Sequence, residues 1–149
     1  LGPLNGNISA AMDYDGHFTR LSGDECRQLL RARGVGRVGW RSAQGQQILP
    51  VTYTMTGELI AFRTRPDSIM GELVASVEVS FEIDDVDEDT ATGWSVLVQG
   101  QARGYLDEPP DGLNLPEPWA PGDHPLTVVI EPTNYSGRAV SATTGGAGC

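Results

Sequence analysis

The clearest pattern in the chain is an alternation. Val77, Val79, Phe81 and Ile83 are separated by Glu78, Ser80 and Glu82. That period of two predicts a strand with one buried face. The acidic stretch Asp84 to Gly93 reads as a loop, and Trp94 to Leu106 as a long strand with Gly100 and Gly104 as bend points. Upstream, Val35 to Trp40 predicts a short strand, Ser42-Ala43-Gln44-Gly45 a turn, and Ile48 to Thr54 the next strand. Pro50 lies inside that run. Proline cannot donate to a ladder, so the strand is expected at an edge or a bulge. Thr56-Gly57 marks a turn before Leu59 to Thr64, and Leu126 to Ile130 and Asn134 to Val140 close the series.

Two helices interrupt the strands. Ser22-Gly23-Asp24-Glu25 is a capping box ahead of Cys26, Leu29 and Leu30, with Gly34 as the stop. Pro66 to Ala75 reads as a second, short helix with Ile69, Met70, Leu73 and Val74 on its apolar side. Six or seven strands with short connections and few helices predict a mainly β protein. An antiparallel barrel is the economical arrangement, because closure removes exposed sheet edges. Residues 1–20 carry no periodicity and are expected to be flexible, with Met12 a candidate native start. The domain then spans 21–140, and 141–149 reads as a flexible tail rich in Gly, Thr and Ala.

Composition narrows the function classes. The 149 residues carry a formal charge of −10. That argues against a general nucleic-acid binder and against an anionic membrane surface. There is no lysine, and all 10 basic residues are arginine, the side chain suited to bidentate recognition of phosphate or carboxylate. Two cysteines without metal-ligand spacing argue against a disulfide scaffold or a zinc site and fit a reducing cytoplasm. No run is apolar and long enough to predict a spanning helix. The Asp84–Asp89 cluster lacks the spacing of a calcium loop and reads as a solvated turn. Nothing orients His17 or His124 as a base, Cys26 reads as core, and Trp119 reads as a structural plug.

Four segments carry a family resemblance. They are Leu21-Ser22 through Gly34-Val35-Gly36-Arg37-Val38; Leu49-Pro50-Val51 with Phe62-Arg63-Thr64-Arg65; Phe81 to Asp87 with Gly93 to Gly100; and Pro118-Trp119, Ile130-Glu131-Pro132 and Ser136-Gly137-Arg138. In this order they resemble the pyridoxamine 5′-phosphate oxidase-like family, in its actinobacterial branch related to nitroimidazole-resistance proteins. The resemblance implies an FMN-binding split barrel, a homodimer with two interface clefts, and oxidoreductase chemistry on a small-molecule substrate. It places the flavin ring along Pro50, Val51, Thr52 and Tyr53, and the phosphate near Arg63, Thr64, Arg65 and Ser68. It puts Trp94, Ser95, Tyr135 and Arg138 beside the cofactor.

One position departs from that pattern. Relatives usually carry a lysine near the position of Ile69, and isoleucine cannot neutralise a phosphate. Arg65 is the candidate substitute. Related barrels that use F420 or haem make those the alternative cofactors. A non-catalytic ligand-binding or stress-related barrel with weak or lost flavin binding is the alternative function.

Overall fold

A computed structural model describes residues 17–117 and 122–141. The expectations for Met12, Trp119 and the tail beyond Ser141 lie outside them. Eight strands form a single antiparallel sheet: β1 His17–Arg20, β2 Val35–Ser42, β3 Gly45–Thr52, β4 Thr54–Thr56, β5 Leu59–Thr64, β6 Val77–Asp87, β7 Thr92–Leu106 and β8 Leu126–Ser141. Their order is β3-β2-β6-β7-β8-β5-β4, with β1 added to the distal half of β8. The architecture is a mainly β split barrel. Helix α1, Gly23–Ala32, packs against it.

The core follows the alternation. Val38, Phe81, Ile83, Val96, Val98, Phe62, Val128 and Ile130 are almost entirely removed from water. Burying side chains of this size stabilises by roughly 1.5–3 kcal/mol each. Tyr53 meets Phe81 edge to face, with ring centroids 4.9 Å apart. Beside that pair, a Cβ built on Gly36 would lie 2.4 Å from the Phe81 ring, so only glycine lets β2 pass the aromatic. Both halves of the capping box form: Glu25 N–H donates to Ser22 Oγ at 3.1 Å, and Ser22 N–H to Glu25 Oε1 at 2.8 Å. The helix buries Cys26 and Leu30. It ends with Arg33 extended; Gly34 does not adopt a positive φ.

Several expectations need correction. Asp84 to Asp87 are not loop but the end of β6, paired with Ser95 to Thr92. Charged side chains are tolerated there because the β6–β7 ribbon runs past the core into solvent. Only Glu88–Ala91 turn, and Asp87 Oδ1 accepts from the backbone N–H groups of Asp89 and Thr90. The Pro66–Ala75 helix shrinks to a 3-10 helix, Ile69–Val74. Leu126–Ile130 and Asn134–Val140 are one strand, with Thr133 as the extra residue where the register shifts opposite Gln99 and Gly100. His17–Arg20, within the segment expected to be flexible, is a strand held by β8. Pro50 does lie on an edge strand, since among the described residues β3 pairs only with β2. No helix among the described residues is long and apolar enough to cross a membrane.

A carboxylate ties the 3-10 helix to β2. Glu72 accepts from Trp40 Nε1 and from Ser42 Oγ, both at 2.9 Å. These two bonds hold its carboxyl below the ordinary value of 4.5. The folded value lies under the unfolded one. The contribution of Glu72 to stability is therefore present above about pH 4.5 and is lost as pH falls through the lower, folded value. Glu72→Gln should melt below wild type at pH 7, and the gap should narrow below pH 4.5. Thermal denaturation across pH 3.5–7 checks this; a pH-independent gap would contradict it.

Candidate functional site

The end of β5, the turn after it and the edge strand β3 converge on one cleft of about 400 Å³. That is within the size range of small-molecule sites. Pro50, Val51 and Thr52 come from β3, Arg63 and Thr64 from β5, and Arg65 and Ser68 from the turn. Seven of the twelve candidate residues are thus brought together. The barrel does this through register: Thr52 pairs with Val35 at the start of β2, and Thr64 pairs with Leu126 at the start of β8. Among the described strands β3 has one neighbour, so backbone groups along its other side have no ladder partner there.

The polar groups differ in how far they are committed. Arg65 closes on Asp67 through two 3.1 Å bonds and is largely exposed. The Arg65 guanidinium in turn holds the Asp67 carboxyl below its ordinary value. Arg63 is half-buried, and its Nε donates a long 3.4 Å bond to the His124 carbonyl oxygen. No carboxylate among the described residues pairs with it. Thr64 Oγ1 lies 3.4 Å from Ser68 Oγ, which donates to the Arg65 carbonyl at 2.7 Å. Ile69 packs against the core. The cleft therefore offers a hydroxyl pair and a guanidinium without a carboxylate partner among the described residues, beside Val35, Val51 and Met70. An apolar plate bearing an anionic tail matches that chemistry.

The other five candidates lie elsewhere. Tyr53 is buried, its hydroxyl donates to the Leu30 carbonyl at 2.7 Å, and its N–H is taken by Gly34. Burial pushes its phenol up to about 12, with Arg33 acting in the opposite direction. Tyr53 thus fastens α1 to the barrel. Tyr135 donates to Glu58 at 3.0 Å, and its ring lies under the Arg27 guanidinium.

Trp94, Ser95 and Arg138 line a second cleft of about 450 Å³, with Glu82, Asp84 and Val86. Arg33 sits over the Trp94 ring, and Arg138 over Phe18. Arg37 bridges Glu82 and Asp84 at 3.4 and 3.3 Å. Burial and the neighbouring Asp84 nonetheless push the Glu82 carboxyl up to about 7.

Sequence reasoning missed Val35, Met70 and His124 in the first cleft. Val35 was visible as a strand position within a resemblance segment, and Met70 as an apolar position of a helix. His124 carries no periodic signal, because it lies in the connection before β8.

The chain is 32% identical to the uncharacterized protein Rv0080 of Mycobacterium tuberculosis over 131 residues, covering 82% of this chain and 85% of that protein. The FAD binding protein from Mycobacterium smegmatis is 29% identical, with a TM-score of 0.64 over 83% of this chain and 98% of that one. An FAD-binding protein from Mesorhizobium loti shares the fold, with a TM-score of 0.66 at 21% identity over 83% of this chain and 99% of that one. The pyridoxamine 5′-phosphate oxidase family model matches residues 22–139, spanning α1 and seven of the eight strands. The chain belongs to the pyridoxamine 5′-phosphate oxidase family.

Proposed function

We propose that the chain binds a flavin nucleotide, with FMN as the preferred form, and acts as an oxidoreductase on a small molecule. The observation that carries this reading is one cleft that joins Pro50–Thr52, on a strand at the sheet edge among the described strands, to Arg63, a guanidinium with no carboxylate partner among the described residues. A flavin nucleotide needs both an apolar surface with polar groups at its rim and a separate anion site. Arg63, Thr64 and Ser68 would hold the phosphate, and Val35, Val51 and Met70 would contact the ring. Flavin supplies the hydride or electron transfer when bound, and the residues around it bind, orient and exclude water. The FAD-binding relative at 29% identity supports a flavin nucleotide and makes FAD the competing form. The non-catalytic alternative draws on Arg65 being held by Asp67 and on the apolar Ile69.

The first test is the visible spectrum of protein purified without added cofactor, followed by melting with FMN, FAD and riboflavin. A flavin spectrum, or a melting temperature raised by FMN more than by riboflavin, is expected. If no flavin raises the melting temperature at saturation, the non-catalytic reading replaces this one.

We further infer a homodimer, in which the Trp94–Arg138 cleft of one protomer faces the Arg63 cleft of its partner. Val35 at the first cleft is 43% exposed and Val86 at the second 66%, apolar side chains that joining the two clefts would cover. The dimer is expected to bury at least roughly 2,000 Å² in total. Light scattering that finds only monomer at micromolar concentration would exclude it.

A further inference from the structure

The cleft holds one ionisable ring that neither the fold nor the proposed function uses. His124 is 8% exposed and lines the cleft with Arg63, Thr64 and Ser68. Its Nδ1 lies 2.9 Å from the Gly122 carbonyl oxygen. A carbonyl only accepts, so Nδ1 carries the proton in this contact. Nε2 bonds no group among the described residues, and it is not fully sealed from solvent. The residue lines the cleft, so Nε2 is the ring atom left free to meet a ligand there. The same residue's carbonyl accepts from Arg63 Nε, and both residues line the same cleft.

With Nδ1 occupied, the charge of the ring changes at Nε2. Neutral, that atom accepts a hydrogen bond; protonated, it donates one and carries charge. The charged groups around it are Arg63 on β5, Arg65 and Asp67 in the following turn, and Asp123 beside it in the chain. Arg65 is bonded twice to Asp67, and Asp123 also acts on Arg65. Arg65 and Asp67 offset each other as a bonded pair, and Asp123 adds a negative charge on that side. An incoming anion is left to Arg63 and His124.

We propose that His124 is an anion-binding residue of this cleft, its Nε2 joining Arg63 in holding the ligand's phosphate and binding more tightly when the ring is protonated. The proposal rests on the flavin-nucleotide reading only for what carries the phosphate; a bare oxyanion meets the same two groups.

The test uses the full chain and two probes, FMN and sulfate. The FMN phosphate loses its second proton near pH 6, which opposes the effect of the histidine. Sulfate keeps its charge from pH 6 to pH 8, so it carries the pH comparison. The variant is His124→Asn, whose amide nitrogen can replace Nδ1 against Gly122 while Nε2 is removed. Wild type is expected to bind sulfate about tenfold more tightly at pH 6 than at pH 8, the scale of one charge-assisted hydrogen bond. The variant should bind equally at both. FMN should weaken about tenfold in the variant at pH 6, and riboflavin should not change.

A variant that keeps the wild-type pH ratio for sulfate overturns the proposal. Sulfate binding whose ratio is lost in the variant, in a protein that binds no flavin, upholds the anion site and rejects the flavin reading. Wild type that binds neither probe at pH 6 rejects both. Should the variant not fold, the NMR titration of His124 in wild type replaces it. Added sulfate should then move the midpoint upward by about one pH unit, the linkage equivalent of tenfold. An unmoved midpoint overturns the proposal.

Discussion

Arg63→Ala should weaken flavin-nucleotide binding by roughly 1.5–3 kcal/mol, the range for hydrogen bonds to a charged group, or about 10- to 150-fold in Kd. The expectation comes from what Arg63 does in the ligand-free protein, which is little. Its Nε makes one 3.4 Å bond to the His124 carbonyl, and no carboxylate among the described residues faces it. Its neighbour Arg65 is bonded twice to Asp67, so it does not stand in at full strength. The ligand-free melting temperature should change little, since removing Arg63 breaks no ion pair among the described residues. Arg63→Lys should recover part of the affinity, because an ammonium keeps the charge but lacks the planar fork. Calorimetric titration of both variants with FMN checks this. An Arg63→Ala protein that unfolds without ligand and keeps its flavin affinity would make Arg63 a structural residue.

Gly71→Ala should damage the fold and the cleft together. Gly71 lies in the 3-10 helix directly under the chain that leads into it, and a Cβ there would sit 2.2 Å from the Pro66 carbonyl oxygen. That atom belongs to backbone, so no side-chain rotation relieves the clash. The Gly71 N–H also donates to the Ser68 carbonyl at 2.9 Å, so opening the turn displaces Ser68 at the rim of the cleft. Overpacking of this kind costs about 1–3 kcal/mol, or roughly 2–12 °C in Tm for a chain of this length. FMN affinity should fall as well. Gly34→Ala is the control: a Cβ there meets nothing within 4 Å, and the residue does not require a positive φ. Equal melting temperatures for Gly71→Ala and wild type would show that the turn accommodates a side chain.

The strands that bury a face were legible because burial leaves a period of two. Val77 to Ile83 is the clearest, and Pro50 announced its edge because it has no N–H to give. What was hidden lacked that imprint. Asp84 to Asp87 are strand by pairing with β7 but carry loop-like composition, because both faces of the ribbon end are wet. Pro132 broke the pattern of β8 at a bulge, so one strand read as two. His17 to Arg20 is a strand only because β8 extends far enough to pair with it.

The site divides in the same way. Arg63, Thr64, Arg65 and Ser68 are close in sequence, so local chain geometry keeps them close in space. Trp94, Ser95 and Arg138 belong to a different cleft of the same chain. That separation depends on where β7 and β8 lie in the sheet, which no local pattern encodes. His124 reaches the cleft from a connection with no periodicity, and only the fold reveals it.

The central claim is that this cleft holds a flavin through its phosphate, and titration of wild-type protein with FMN and riboflavin by calorimetry tests it most directly. The two ligands differ only in the phosphate, so their affinities isolate the contribution of the Arg63 cleft. Binding of FMN at least about tenfold tighter than riboflavin is the predicted result. Equal affinities, or no binding of either, would contradict it.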